Sequence, residues 1–199
     1  MATLRVALTG GIATGKSHCL QLFTAAGVPT IDADRLAHEA IAPGTPGHAA
    51  VVERFGRQIV TEGGAIDRPA LAAIVFGDAA ARRDLEAIVH PRVYRGIGDW
   101  FGALGDRGEP LGIADIPLLY ETGRDIDYDT VIVASCPPAM QIARLMQRSG
   151  LSRAEAEARL AAQLPIDAKA AKADHVIDTS GTLEETENQV RSLLEALRR

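Results

Sequence analysis

Short, continuous runs of branched apolar residues alternate along the chain with segments whose apolar residues recur at helical spacing. Four of these runs are typical of strands that are buried on both faces of a parallel sheet, and a weaker fifth run follows them. The predicted strands are Leu4–Thr9, Val28–Asp32, Leu111–Asp115, Thr130–Ala134 and His175–Asp178. Because strands that alternate with helices form βαβ units, the pattern predicts an α/β fold, a five-stranded parallel sheet flanked by helices.

Helical patterns fill the intervals next to these strands. They cover Lys16–Ala25, Met140–Arg148, Arg153–Gln163 and Leu183–Leu197. The third of them is preceded by Ser152, with Glu155 three residues on, a capping-box spacing that fixes where the helix begins.

The interval between the second and third strands departs from simple alternation. It contains four predicted helices, Arg35–Ile41, His48–Phe55, Arg68–Phe76 and Ala79–Leu104. Pro91 is expected to kink the last of them after His90, since proline removes a helical hydrogen bond. So much helix in one crossover predicts a helical subdomain, residues 35–108, inserted beside the sheet.

Composition and charge narrow the class of protein. The 199 residues include 47% hydrophobic and 24% charged residues, which suits one globular domain, residues 1–199. No apolar run approaches the ~18 residues of a membrane span, and the start of the chain lacks an export signal. The net charge of −5 argues against a nucleic-acid-coating protein. We therefore expect a cytoplasmic protein without membrane or nucleic-acid partners, and the pattern leaves its oligomeric state undetermined.

The strongest chemical signal lies directly after the first strand. Residues 10–17 read Gly-Gly-Ile-Ala-Thr-Gly-Lys-Ser, which fits the phosphate-binding loop (P-loop) pattern G-x-x-x-x-G-K-[ST] in full. Glycines let several N–H groups turn inward, and the next helix adds the positive end of its dipole. Lys16 would contact the β- and γ-phosphates, and the Ser17 hydroxyl would ligate Mg²⁺. The residues predicted to bind nucleotide here are Gly11, Ile12, Ala13, Thr14, Gly15, Lys16 and Ser17.

Other uses of such a loop fit less well. A dinucleotide-binding loop would need glycine at position 12, where Ile12 stands. A GTPase would need an Asn-Lys-x-Asp motif, but the only asparagine is Asn188, in the last helix. A motor ATPase would want a second acid after Asp115, where Ile116 follows. Phosphoryl transfer from ATP to a small acceptor is the better interpretation. A kinase for a nucleoside monophosphate or a shikimate-like polyol and a module that binds nucleotide without turnover are the alternatives.

Two carboxylates close the second predicted strand. Asp32 and Asp34 are two residues apart, so on an extended segment their side chains would point the same way. At the carboxyl end of a parallel strand they would face the ligand crevice. One could accept the acceptor's proton while the other orients a water or backbone group. Simple capping of the next helix is the alternative, and the spacing does not decide which aspartate is the base.

Positive charge follows the fourth strand. Arg144 and Arg148 are four residues apart on one helix face, where like charges repel unless a polyanion lies between them. The continuation over residues 149–168, which includes Arg153 and Arg159, would form a lid that brings guanidinium groups onto the phosphates and excludes water. An ordinary solvated basic face is the alternative.

Taken in order, these motifs resemble those of the dephospho-coenzyme A kinase family, over most of the chain. The matching segments are Leu8–Ile12, Gly15–Ser17, Ile31–Asp34, Val89–Pro91, Ile116–Glu121, the spacing of Gln141, Arg144 and Arg148, Gln163, and Ala173–Asp178. The resemblance implies ATP-dependent phosphorylation of the ribose 3′-hydroxyl of dephospho-CoA, with ATP and Mg²⁺ as cofactors.

The resemblance also implies residue roles. Asp34 would be the general base, and Lys16 and Arg144 would neutralise charge during transfer. Arg148 and Thr179 would join the nucleotide site, while the helical insert would hold the pantetheine-bearing substrate. The acceptor-binding residues that it implies are Asp32, Asp34, His90, Pro117, Leu118 and Glu121.

Two positions depart from the family pattern. Ala13 stands where the family usually has glycine, and a methyl group is expected to be tolerated there only if φ is negative. Thr179 stands where asparagine is common, in a loop expected near the adenine. Contacts to the edge of the base are therefore expected to differ.

Overall fold

A five-stranded parallel sheet forms the centre of the fold in the computed structural model, which describes residues 2–198. The strands are β1 (Leu4–Gly10), β2 (Thr30–Asp32), β3 (Leu111–Asp115), β4 (Thr130–Ser135) and β5 (His175–Asp178), in the order β2-β3-β1-β4-β5. The predicted α/β sheet is thus confirmed. β2 begins at Thr30 rather than Val28, because the Val28 N–H donates to the Phe23 carbonyl at 3.1 Å and Pro29 has no N–H for the ladder.

Helices connect the strands in the described part of the chain. They are α1 (Lys16–Ala25), α2 (Ala33–Ala40), α3 (Pro46–Phe55), α4 (Arg68–Gly77), α5 (Ala79–Asp106), α6 (Pro138–Ser149), α7 (Arg153–Ala161), α8 (Ile166–Ala170) and α9 (Leu183–Leu197). The predicted capping box at Ser152 and Glu155 is present. The helix that it opens ends at Ala161 instead of Gln163, and α8 follows as a short helix that the sequence pattern did not reveal. α5 runs through Pro91.

The central strands are buried because both of their faces are covered. Every residue of β3 is buried, and Val6, Ile113 and Ile132 from three neighbouring strands are fully shielded from solvent. Phe23 of α1 packs into the same core. This explains why these strands read as continuous apolar runs rather than as alternating ones.

The chain divides into two compact units. The sheet unit contains the residues up to Ile31 and those from Phe101 onward, and the helical unit contains Asp32–Trp100. The last turns of α5 belong to the sheet unit, where the Arg5 guanidinium lies 5.0 Å from the centre of the Phe101 ring. The predicted insert, residues 35–108, overlaps the helical unit, and its role in holding a substrate stays a prediction.

The helical unit has a core of its own. Val51, Phe55 and Ile59 pack with Leu71 and Ala81, so the unit buries apolar side chains from several of its helices. No helix between residues 2 and 198 is long and apolar enough to cross a membrane.

Candidate active site

The P-loop lies between β1 and α1, as the sequence predicts. Gly15 has φ of 87° immediately before α1, a left-handed conformation that favours glycine. A Cβ atom on Gly10 would lie 2.7 Å from the Ala134 carbonyl oxygen, so only glycine fits where β1 passes β4. Buried Thr14 closes the turn, because its hydroxyl donates to the Gly11 carbonyl oxygen at 2.9 Å. The loop is therefore tight and internally bonded.

Ala13 has a backbone conformation that contradicts the expectation from sequence. Its φ is 58°, the left-handed region, whereas the methyl group was expected to require a negative φ. For an L-residue this conformation costs roughly 1–2 kcal/mol, because Cβ approaches the following carbonyl oxygen. The loop thus holds Ala13 in a conformation that strains an alanine.

Lys16, at the first position of α1, is held by a carboxylate that the sequence analysis did not assign to the site. Its ammonium forms an ion pair with Asp115 at the end of β3, and the two side chains are 14% and 6% exposed. Leu8 of β1 is the register partner of Asp115 in the sheet. The signal in the sequence was an acid that ends a buried strand, but the strand order needed to place it beside the P-loop was not known.

The side chains of two glutamines bond to the main chain of Ile12, one at its carbonyl oxygen and one at its N–H group. The Gln141 side-chain amide donates to the Ile12 carbonyl oxygen at 2.7 Å, and the Ile12 N–H donates to Gln163 Oε1 at 2.8 Å. A Cβ atom on Gly11 would lie 2.5 Å from Gln141 Nε2. Ile12 was predicted to bind nucleotide, and in the structure its N–H is bonded to Gln163; its contact with nucleotide stays a prediction.

Arg144 and Thr179 lie together behind the loop. One Arg144 Nη donates to the Thr179 carbonyl oxygen at 2.7 Å, and the other is 3.4 Å from the Thr179 hydroxyl. That hydroxyl also contacts the Thr14 carbonyl oxygen, and Thr179 is only 5% exposed. A Cβ atom on Gly15 would come within 3.4 Å of it. Thr179 therefore packs under the P-loop, while Arg148 is exposed near the end of α6.

Lys169 of α8 is a second residue that the sequence analysis missed. Its side chain is completely buried, and its ammonium contacts the carbonyl oxygens of Gly10 and Pro117 at 3.1 and 3.2 Å. It also pairs with Glu121 Oε1 at 2.7 Å. Glu121 and Pro117 were predicted to bind the acceptor; in the structure Glu121 Oε1 and the Pro117 carbonyl oxygen bond to Lys169, and acceptor binding stays a prediction. Leu118, the third member of that segment, is 43% exposed.

Asp32 and Asp34 differ from each other in a way that corrects the sequence analysis. α2 begins at Ala33 rather than Arg35, so Asp34 is helical and the two side chains do not share an extended segment. Asp32 Oδ1 accepts the N–H groups of Asp34 and Arg35 at 2.8 and 3.3 Å, which makes Asp32 the N-cap. Asp34 is exposed in the first turn of α2, and its carboxylate is not needed for capping.

Two further side chains, those of His90 and Cys19, lie within helices. His90 lies within α5, where its ring is 5.6 Å from that of Tyr94. Cys19 is fully buried in the first turns of α1, and burial raises the pKa of its thiol to about 11, which outweighs the lowering by a backbone hydrogen bond and by Lys16. Cys19 is accordingly a packing residue that stays protonated near neutral pH.

The sheet is parallel and a P-loop follows its first strand. A lysine begins the next helix, and an arginine lies behind the loop. Together these features define a kinase of the P-loop class. The dephospho-CoA kinase family model matches residues 4–185. The chain belongs to the dephospho-CoA kinase family.

Individual relatives agree with this assignment. A dephospho-CoA kinase of Anaeromyxobacter dehalogenans is 48% identical over 97% of this chain and 92% of its own length. One from Geobacter sulfurreducens is 44% identical over 94% of this chain and 95% of its own length. A crystal structure from Thermus thermophilus has a TM-score of 0.85 at 34% identity and covers 99% of both chains. Dephospho-CoA kinase from Campylobacter jejuni has a TM-score of 0.68 at 27% identity, covering 99% of this chain and 98% of that one.

Proposed function

We propose that the chain transfers the γ-phosphoryl group of ATP to the ribose 3′-hydroxyl of dephospho-CoA, which yields coenzyme A and ADP. The observation that supports this best is the family match over residues 4–185. That span includes a complete P-loop whose lysine is paired with Asp115 at the end of β3. In the transfer, the bond from the 3′-oxygen to γ-phosphorus forms, and the bond from γ-phosphorus to the bridging oxygen breaks.

Lys16 and Arg144 supply the positive charge for this step. The Lys16 ammonium is paired with Asp115, and nucleotide phosphates would compete for it with a larger negative charge. The Arg144 guanidinium is held through Thr179 and retains donors, since arginine has five N–H groups in a fixed fork. Donors that are oriented before the reaction stabilise developing charge without the cost of reorganisation. Exposed Arg148 is proposed to contact the nucleotide.

The residues at the start of α1 fit Mg²⁺ as the accompanying cation. Ser17 presents an exposed hydroxyl, and Asp115 carries a carboxylate near Lys16. Both are hard oxygen donors, the type that Mg²⁺ prefers alongside substrate phosphates and water. When bound, Mg²⁺ supplies neutralisation of the transferring phosphoryl group. Ser17 is the ligand we propose from the chain itself.

Asp34 is proposed as the general base. Asp32 already caps α2, so the exposed Asp34 carboxylate can accept the proton that the 3′-hydroxyl loses during transfer. We propose that the helical unit, with Asp32 and His90, holds the acceptor, and that exposed Leu118 contributes an apolar contact. Residues 149–168 are proposed as the lid that excludes water.

The test is a coupled ADP-release assay with dephospho-CoA, AMP, adenosine and shikimate as acceptors, side by side. We expect turnover with dephospho-CoA to exceed turnover with the other three by far. Equal or faster turnover with AMP or shikimate would replace the proposal with another small-acceptor kinase. Nucleotide binding without acceptor-dependent ADP release would identify a nucleotide-sensing module. We also propose a cytoplasmic location, where ATP is available, which cell fractionation would test.

A further inference from the structure

The Lys169 ammonium lies inside the protein, where solvent does not reach it. Its side chain has no exposed surface, and burial of an ion costs several kcal/mol unless it is paired and hydrogen-bonded. An ammonium has three N–H donors, and three oxygens surround this one: Glu121 Oε1 at 2.7 Å and the carbonyl oxygens of Gly10 and Pro117 at 3.1 and 3.2 Å. The donors and acceptors therefore match in number, which describes a built site rather than an accidental contact.

The three partners of Lys169 come from parts of the chain that the reaction uses. Gly10 ends β1 and is the first residue of the P-loop. Pro117 and Glu121 lie in the segment that follows β3 and Asp115. The Pro117 carbonyl oxygen also accepts the Thr9 hydroxyl at 3.3 Å. The ammonium thus fixes the entrance of the P-loop relative to residues 117–121, which follow Asp115, the partner of Lys16.

The segment that leads to Lys169 makes two more contacts of the same kind. Gln163 accepts the Ile12 N–H at 2.8 Å, and the Leu164 N–H donates to Glu121 Oε1 at 3.0 Å. Residues 163–169, which follow α7 directly, are accordingly bonded to the P-loop at Gly10 and at Ile12. A shift of residues 163–169 would therefore displace the P-loop at Gly10 and at Ile12.

A contribution to stability alone does not account for this arrangement. Buried ion pairs often contribute no more to stability than apolar side chains of similar volume, since desolvation offsets their attraction. Their directional bonds, in contrast, define where the bonded segments lie. The Lys169 bonds end on main-chain oxygens of the loop that binds phosphate, so their effect falls on the geometry of that loop.

We propose that Lys169, with Glu121 as its counter-ion, is a positioning residue for phosphoryl transfer that holds the P-loop entrance in register with residues 117–121 and with the end of the lid. The inference rests on the proposed kinase function. Displacement of reacting groups by about 1 Å can lower a rate roughly 10²-fold. Loss of the ammonium should therefore weaken nucleotide binding and lower kcat, with little change in the KM for the acceptor.

The experiment compares three variants with the wild-type protein. The first is the double variant Lys169→Met/Glu121→Gln, which removes both charges together, because Lys169→Met alone would leave the Glu121 carboxylate unpaired and is prone to misfold. Glu121→Gln alone keeps the ammonium and an acceptor oxygen. Tyr120→Phe is the matched control, because its hydroxyl is buried in the same segment and has no hydrogen-bond partner among residues 2–198.

The readouts separate positioning from stability. They are the Tm, the Kd for a fluorescent ATP analogue, kcat and KM for dephospho-CoA, and hydrogen exchange of the P-loop amides. For the folded double variant we expect kcat to fall roughly 10- to 100-fold, a weaker Kd and faster exchange at residues 10–12. Tyr120→Phe should match the wild type in all of them, and Glu121→Gln should fall between.

A different pattern would overturn the inference. If the double variant loses Tm but keeps the wild-type kcat and Kd when assayed well below that Tm, then Lys169 only stabilises the fold. If it does not fold, Glu121→Gln decides: wild-type kcat, Kd and exchange in that folded variant contradict positioning. Failure of the proposed function is distinguishable, because the wild-type protein would then not turn over dephospho-CoA, while nucleotide affinity and amide exchange would still report on Lys169.

Discussion

Buried side chains bond to main-chain oxygens of the P-loop, whereas Asp32 of the helical unit bonds only within its own helix. Thr14, Gln141, Lys169 and Thr179 are each 5% exposed or less. The side chains of Gln141, Lys169 and Thr179 bond to main-chain oxygens of the P-loop that are 129, 159 and 165 residues away in the chain. Asp32, in contrast, is bonded to N–H groups two and three residues away, and Asp34 is exposed.

The difference shows which substitutions should affect binding or folding as well as rate, and which should affect rate alone. A phosphate cradle must hold its donors in place before the ligand arrives, and long-range bonds from buried side chains provide this. A base needs an accessible carboxylate, and a capped helix start is enough to present one. Substitutions on the P-loop side should therefore disturb binding or folding together with rate, while substitution of Asp34 should change rate alone.

The largest effect is expected for Arg144→Ala. Arginine that neutralises a transferring phosphoryl group contributes about 10³- to 10⁵-fold to kcat, and Arg144 also holds the Thr179 carbonyl behind the loop. Steady-state kinetics should show a loss in that range. Arg148→Ala, an exposed arginine on the same helix, is the control and should chiefly raise the KM for ATP. A change confined to the KM for ATP in Arg144→Ala would make it a binding residue only.

Asp34→Asn should give the next largest loss. Removal of a general base lowers kcat by roughly 10²- to 10⁴-fold, while the Tm and the nucleotide Kd should stay at wild-type values because Asp34 is exposed and is not the helix cap. Kinetics, thermal unfolding and nucleotide titration on one preparation check this. Near wild-type phosphoryl transfer would refute the assignment of the base.

Asp32→Ala should act on stability. Loss of an N-cap side chain costs about 1 kcal/mol, and for a chain of this size this corresponds to a fall in Tm of about 2–4 °C. Asp32→Asn keeps a capping oxygen and is the matched control. Urea denaturation of both variants measures the difference, and equal stabilities would show that the two hydrogen bonds to Asp32 contribute nothing.

Ala13→Gly should give the smallest effect, with the opposite sign. Relief of the left-handed strain gains roughly 1–2 kcal/mol, and the extra freedom of glycine in the unfolded chain offsets roughly 0.5–1 kcal/mol of it. The free energy of unfolding should therefore rise by between zero and about 1.5 kcal/mol. A loss of stability on urea denaturation would mean that the loop does not strain Ala13.

The P-loop and the sheet could be predicted because their signals are local. Residues 10–17 are contiguous, and each strand is one apolar run. Lys169, Gln163 and Asp115 were not assigned to the site because their partners in or beside the P-loop are 159, 151 and 99 residues away. Nothing in the sequence near Lys169 separates it from Lys172, which is exposed. Only the tertiary fold decides which lysine is buried.

The placement of Asp32 and Asp34 on one extended segment was predicted wrongly for a smaller reason. A shift of two residues in the start of α2, from Arg35 to Ala33, converts an extended pair of carboxylates into a cap and a first-turn residue. Helix boundaries are the least certain feature of a sequence pattern. The family resemblance, which matches whole motifs in order, was confirmed, and the residue roles that it implies stay predictions.

Phosphorus NMR of the product formed from ATP and dephospho-CoA tests the central claim most directly. The account predicts a new phosphomonoester signal from the ribose 3′ position, in amounts equal to the ADP released, and a product indistinguishable from coenzyme A. ADP release without that signal, or a phosphomonoester at another position, would contradict it.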